Sequence, residues 1–387
     1  VTDPHSTRAL IIDALAAALA LAVAMGFGRF AFTALYPMMI EDGIFGIGGG
    51  SMAASANYAG YLVGALGMAR VNADTSASLT RWGLVATVLL LAAMALPISP
   101  VGLAVVRFLA GVASAVVMIA SSVWLLQAVG FSSGAPLLFA GVGVGISLSA
   151  ELVVAADWQG AASWQAWLVL AAAATVLVGL SWLRLRSPDH AGGGPRPGPE
   201  APGDRLGPVV LIAAYGLAAF GYIITATYLP LIAQGALGGI NPVHLWAVFG
   251  VGAVPSCFFW HALHRSLGTR RAMAVNLGVQ VIGVALPAMT LHPVALLFSA
   301  LMVGGSFVGT VTIAMLAARA VSGGLKFNIL AAMTASYGVG QIIGPLVAAA
   351  LFGPRQSFDA PLLAAAAALA VGTVLCLMAP RSPRTRI

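Results

Sequence analysis

From Ala9 to Met39 the chain runs through 31 residues with only two charged side chains, Asp13 and Arg29. Stretches of this kind recur along its whole length. A helix of about 20 mostly apolar residues crosses the hydrocarbon core of a bilayer. Such windows fall at about 10–38, 51–70, 82–98, 101–127, 134–156 and 163–184, and again at about 207–235, 244–263, 271–290, 292–318, 327–352 and 361–379. Charged residues make up 7% of the chain, whereas a soluble domain carries about 25% to cover its surface. Lipid is therefore the solvent. The fold class this predicts is all-α integral membrane, with twelve transmembrane helices in two pseudo-symmetric six-helix bundles.

The two sets are separated by "RLRSPDHAGGGPRPGPEAPGDR", residues 184–205, which is rich in Pro and Gly and has almost nothing apolar to bury. The predicted organisation is an amino-terminal bundle over 1–183, a cytoplasmic linker over 184–206 and a carboxyl-terminal bundle over 207–387. Arg8 and the apolar run behind it read as a retained first helix rather than a cleaved leader. With both termini and the linker in the cytoplasm, fifteen of the eighteen Lys and Arg fall on that side. Arg355 falls outside, and Arg29 and Arg107 lie within the membrane. That bias orients the chain in a bacterial inner membrane. It also explains the net charge of +7 as an insertion signal rather than a nucleic-acid surface.

Several chemistries are not encoded. Cys257 and Cys376 sit in apolar runs without metal-ligand spacing. Lys326, in "SGGLKFN", is not followed by the Ser or Thr of a phosphate-binding loop, and neither HExxH nor GxSxG occurs. No enzyme, metal or cofactor is expected, which leaves secondary transport.

The halves repeat each other. "GRFAFTALYP" (28–37) aligns with "GYIITATYLP" (221–230), and "AGVGVGI" (140–146) with "YGVGQII" (337–343), at nearly equal offsets. Parallel repeats of six helices predict alternating access around a site at the repeat interface. "LAVVRFLAGVASA" (103–115) resembles the fourth-helix pattern of the major facilitator superfamily, with Ala110 where glutamine is usual. "HRSLGTRR" (264–271) resembles its cytoplasmic signature, with His264 in place of the acid, while the loop from Arg70 to Arg81 keeps almost none of it. More narrowly, "GFGRFAFTALYPMM", "ANYAGYLVGAL" (56–66), "YGLAAFGYIITATYLP" and "GVGQIIGP" resemble the YbfB/YjiJ-type bacterial permeases. The resemblance implies a transporter and leaves its substrate open.

Charges inside a membrane are functional candidates, because each costs about 2.5–3.5 kcal/mol on insertion scales. Depth along each helix places Arg29, Asn57, Arg107 and Glu151 in one polar layer of the first bundle. Arg29, Thr33 and Asn57 are read as substrate-binding, with Glu151 and Arg107 as the proton-coupling pair. In the second bundle Tyr222 stands at the position of Arg29, and Tyr337 and Gln341 lie four apart on one helix face; these three are also read as substrate-binding. Two arginines against one glutamate favour an anionic or zwitterionic small molecule. The expected activity is proton-coupled efflux by a monomer in the bilayer. Uptake by symport or facilitated diffusion is the alternative within transport, and a membrane sensor or scaffold the alternative outside it.

Overall fold

The computed structural model describes residues 4–186, 206–322, 327–353 and 356–379, and every regular element among them is helical. The chain divides into two compact units, Val1–Arg196 and Pro197–Ile387. In the first, α1 (Pro4–Leu21) passes without a break through a π-helical segment (Ala22–Phe30) into α2 (Ala31–Glu41), which makes one long span. It is followed by α3 (Ile47–Gly67), α4 (Ala73–Ala93), α5 (Pro100–Val123), α6 (Ala135–Trp158) and α7 (Ser163–Trp182). The second unit holds α8 (Pro208–Ile232), α9 (Val243–Met289), α10 (Pro293–Val321), α11 (Ile329–Phe352) and α12 (Asp359–Met378).

Among the described residues ten helices are long and apolar enough to cross a membrane. Two features reconcile that figure with twelve predicted spans. First, α9 has 47 residues, about 70 Å at 1.5 Å per residue, roughly twice a bilayer core. Its helical path breaks at Gly268, with φ 76° and ψ 172°, a left-handed conformation that glycine adopts without strain. It is two spans joined at the turn that "HRSLGTRR" marks, and His264 Nε2 bridges that turn to Thr269 Oγ1 at 2.9 Å. Second, α3 carries six glycines among its 21 residues together with Ser and Asn, and falls outside the ten. The tight turn expected at His292 and Pro293 is present. Pro293 opens α10, and the Val294 amide donates to His292 Nδ1 at 3.3 Å.

Some boundaries differ from the hydropathy reading. Helix α4 begins at Ala73, where the Asn72 side chain accepts from the Thr75 amide. Arg81 therefore belongs to that helix, with its guanidinium over the Trp182 ring at 5.3 Å, rather than to a loop. The polar opening of α4, "ADTSASLTR", hid those first turns from a hydropathy window. Most of the predicted linker lies outside the described residues, but its first residues are anchored. Leu185 is fully buried, the Trp124 indole donates to the Arg186 carbonyl at 2.8 Å, and Arg184 pairs with Asp13 at 3.8 Å. Helices also continue through Pro37, Pro230 and Pro345.

Packing within each unit rests on backbone-to-backbone approach, which small residues permit in a membrane. A Cβ on Gly60 would collide with the Phe108 carbonyl of α5, and one on Gly111 with the Asn57 carbonyl of α3. Gly141 and Gly145 of α6 meet Ala18 and Ala22, and Gly340 of α11 meets Gly216 of α8. Gly60→Val should destabilise the first unit by about 1–3 kcal/mol, the range for overpacking. Gly48→Ala, where the added carbon would meet open space, should leave the thermal melt in detergent unchanged.

Candidate functional site

The π segment reads "AVAMGFGRF", and all nine of its residues are buried. Its two inner glycines let other helices come close. Gly26 faces the backbone of Gly145 on α6, and Gly28 faces Thr87 and Ser114. A π turn replaces the usual i to i+4 bonds with i to i+5 bonds, and its carbonyls take donors from outside. Ser114 Oγ lies 2.7 Å from the Ala24 carbonyl and 2.8 Å from the Ala110 carbonyl of its own helix, so one hydroxyl proton serves either. Arg107 Nη1 donates to the Gly28 carbonyl at 3.1 Å and Nη2 to the Arg29 carbonyl at 2.9 Å.

Arg107 is 1% exposed, and its guanidinium lies 4.7 Å from the Phe32 ring centroid. Two hydrogen bonds from a charged donor contribute about 1.5–3 kcal/mol each, enough to offset the cost of placing the charge there. Asn57, fully buried on α3, donates through Nδ2 to the Arg107 carbonyl at 2.8 Å. Arg107 Nε and Asn57 Oδ1 are buried without a hydrogen-bond partner. Arg29, 3% exposed, is covered by aromatic rings, with Tyr61 at 4.0 Å, Tyr58 at 5.1 Å and Phe30 at 5.3 Å from its Cζ. Thr33, one turn further along, is buried as well.

The predicted layer thus assembles from Arg29, Asn57 and Arg107, and the fourth member needs correction. Glu151 is exposed, on a stripe of α6 with Val144, Leu148 and Ala155. The buried face of that helix carries Gly141, Gly145 and Ser149. Glu151 thus stands on the exposed side of α6, whereas Arg107 is buried and its Nη donors go to carbonyl oxygens. Among the described residues, Arg29 and Arg107 are buried and no Asp or Glu is.

In the second unit Tyr222, Tyr337 and Gln341 do meet. The Gln341 amide donates to the Tyr222 hydroxyl. Tyr337 stacks between Tyr215 at 4.3 Å and Tyr222 at 6.1 Å. The stack continues from Tyr222 to Phe307 at 5.3 Å, then to Phe249 and Trp246. Sequence reasoning missed a second cluster there. Gln280 Nε2 donates to Asn276 Oδ1 at 2.9 Å and to Thr310 Oγ1 at 2.7 Å, and Asn276 Nδ2 donates to the Ser306 carbonyl at 3.0 Å. Its signal was an Asn and a Gln four apart in an apolar helix. The rings around Arg29 were missed too, although Tyr58 and Tyr61 stand three apart in "ANYAGYLVGAL", on one helix face.

Over residues 21–377 the sequence matches the family described as "Uncharacterised MFS-type transporter YbfB". No curated protein sequence matches it. Among solved structures, a mutant of the nucleoside transporter NupG superposes with a TM-score of 0.70 at 13% identity, covering 95% of this chain and 99% of that one. At that identity the likeness is one of fold.

Arg107→Met, which leaves two buried carbonyls without donors, should lower stability by about 2–6 kcal/mol, the range for two unsatisfied buried groups. Ser114→Ala, whose proton is shared, should cost about 1 kcal/mol or less. Thermal melts of the purified proteins compare the two.

Proposed function

We propose, on the premise that this chain belongs to the YbfB-type family of MFS transporters, that it carries a small organic anion or zwitterion across the membrane by alternating access. Arg29 receives the negative group. One observation carries the reading: a guanidinium 3% exposed, on an irregular helical turn. Three aromatic rings lie within 5.3 Å of the Arg29 Cζ. Its N–H donors lie in the plane, where a carboxylate or phosphate is met by a bidentate pair of hydrogen bonds. Arg107 serves the backbone beneath and does not itself contact the substrate.

Proton-coupled efflux is the direction we propose, with the protein working as a monomer in a bacterial inner membrane and both termini cytoplasmic. Glu151, the one carboxylate in the middle of the α6 span, is assigned to carry the proton. Thr33, Asn57 and, in the second unit, Tyr222, Tyr337 and Gln341 supply uncharged contacts. The Tyr222–Gln341 bond and the stacking of Tyr337 support a preformed polar and aromatic surface there.

Transport of organic acids into proteoliposomes under an imposed proton gradient tests both assignments. Arg29→Ala should abolish transport while the protein still purifies and melts as one species. Arg29→Lys keeps the charge without the planar fork, and should reduce the rate by about tenfold or more. Normal transport by Arg29→Ala would remove Arg29 from the site. Glu151→Gln should lose gradient-driven accumulation and retain counterflow exchange; accumulation at the native level would place coupling elsewhere.

A further inference from the structure

Residues 206–387 contain a single acid, Asp359. It opens α12, whereas Leu377, near the other end of that helix, accepts from Arg270 Nη1 through its carbonyl at 2.9 Å. At 1.5 Å per residue the two lie about 27 Å apart. Arg265 and Arg271 stand on either side of the Gly268 break in α9, close to Arg270. Arg319 lies in the last turn of α10. That helix runs parallel to the first span of α9: a Cβ on Gly304 would meet the Phe249 carbonyl, the Gly309 amide donates to Ser256 Oγ at 3.0 Å, and Cys257 Sγ lies 3.4 Å from Thr312 Oγ1. Continued by about 10–12 Å in that register, the two helices bring Arg265 and Arg319 to one level. Arg265, Arg271 and Arg319 are exposed, and their guanidiniums have no hydrogen bond or ion pair among the described residues. Each of the two α9 arginines also ends an apolar stripe. Val251, Phe258 and Ala262 are exposed at helical spacing and lead to Arg265, and Met289, Ile282 and Val275 lead likewise to Arg271.

The charge bias that orients a chain during insertion counts Lys and Arg and is nearly indifferent to acids. It accounts for the arginines, but neither for the missing counter-charge nor for the stripes that end on them. We propose that this end of the second unit binds the headgroup of an anionic phospholipid from the surrounding bilayer, whatever solute the protein carries. The phosphate sits among Arg265, Arg271 and Arg319, and the acyl chains run along the exposed stripes of α9. An arginine offers a phosphate two parallel N–H bonds, and each basic side chain near an anionic lipid surface strengthens binding by about fivefold. A soluble phosphate gains those bonds but has nothing to lay along Phe258 or Ile282. Two arginines of the first unit, by contrast, have partners of their own: Arg184 pairs with Asp13 at 3.8 Å, and Arg81 lies 5.3 Å from the Trp182 ring centroid.

Native mass spectrometry of the purified full-length chain, titrated in detergent with phosphatidylglycerol, phosphatidylcholine or glycerol phosphate, separates the components. Phosphatidylglycerol should bind at least about tenfold more tightly than phosphatidylcholine, the step that two or more basic contacts supply. Glycerol phosphate, which has the charge without the chains, should bind at least about tenfold more weakly than phosphatidylglycerol. Arg265→Gln, Arg271→Gln and Arg319→Gln should each weaken phosphatidylglycerol binding by about fivefold, and the triple variant should reduce the preference to about twofold or less. A matched triple in the first unit, Arg8→Gln, Arg70→Gln and Arg186→Gln, removes the same charge from other exposed positions and should keep the preference. Equal binding of the two lipids by the native chain would overturn the proposal without recourse to any variant. Glycerol phosphate binding as tightly as phosphatidylglycerol would replace the lipid with a soluble phosphate. A preference that survives all three single substitutions, or that the first-unit triple removes as fully, would take the headgroup away from these arginines.

Discussion

In hydrocarbon a backbone carbonyl without a donor costs several kcal/mol, so an irregular turn can exist only where another part of the chain supplies hydrogen bonds. The contact from Arg107 to the Gly28 and Arg29 carbonyls meets that demand here. Ser114 adds a shared bond to the Ala24 carbonyl, and close approach is possible because Gly26 and Gly28 have no side chains. The wider turn then sets the direction in which Arg29 leaves the backbone. A basic side chain thus supports the peptide groups that present a second basic side chain. This division explains two arginines in one apolar bundle without assigning both to a ligand.

The two units solve their packing alike and their polar chemistry differently. In both, glycines let helices touch backbone to backbone. In the first, the polar centre is cationic and tied to the main chain. In the second, α8 is α-helical throughout, Tyr222 occupies the position of Arg29, and the polar centre is a neutral amide and hydroxyl network beside a stack of rings. Repetition therefore extends to architecture and stops at the side chains that carry chemistry.

Hydropathy was enough to locate the helices, because a lipid-facing helix must be apolar over a fixed length. It failed at the start of α4, where two polar turns precede the apolar ones, although Asn72 was a readable cap. The grouping of Arg29, Asn57 and Arg107 followed from counting depth along three helices. Glu151 escaped that method. Depth fixes a level and says nothing about azimuth, which turns by about 100° per residue in a helix of 3.6 residues per turn. The π segment was not legible at all, since its partner at Arg107 lies 79 residues away from Gly28. Tyr61 was passed over because a pair of tyrosines three apart on one helix face does not point to a cation until its neighbour in space is known.

The two guanidiniums buried in the first unit have an electrical consequence. A charge moved through the whole membrane potential changes energy by about 2.3 kcal/mol per 100 mV. Any displacement of the first unit along the bilayer normal takes Arg29 and Arg107 through part of that field together, as a fixed pair of positive charges. A bound anion would cancel one of them, so the loaded and empty forms would feel the same voltage differently. Voltage would then act on the empty form more strongly than on the loaded one, and membrane potential would bias the return step of the cycle.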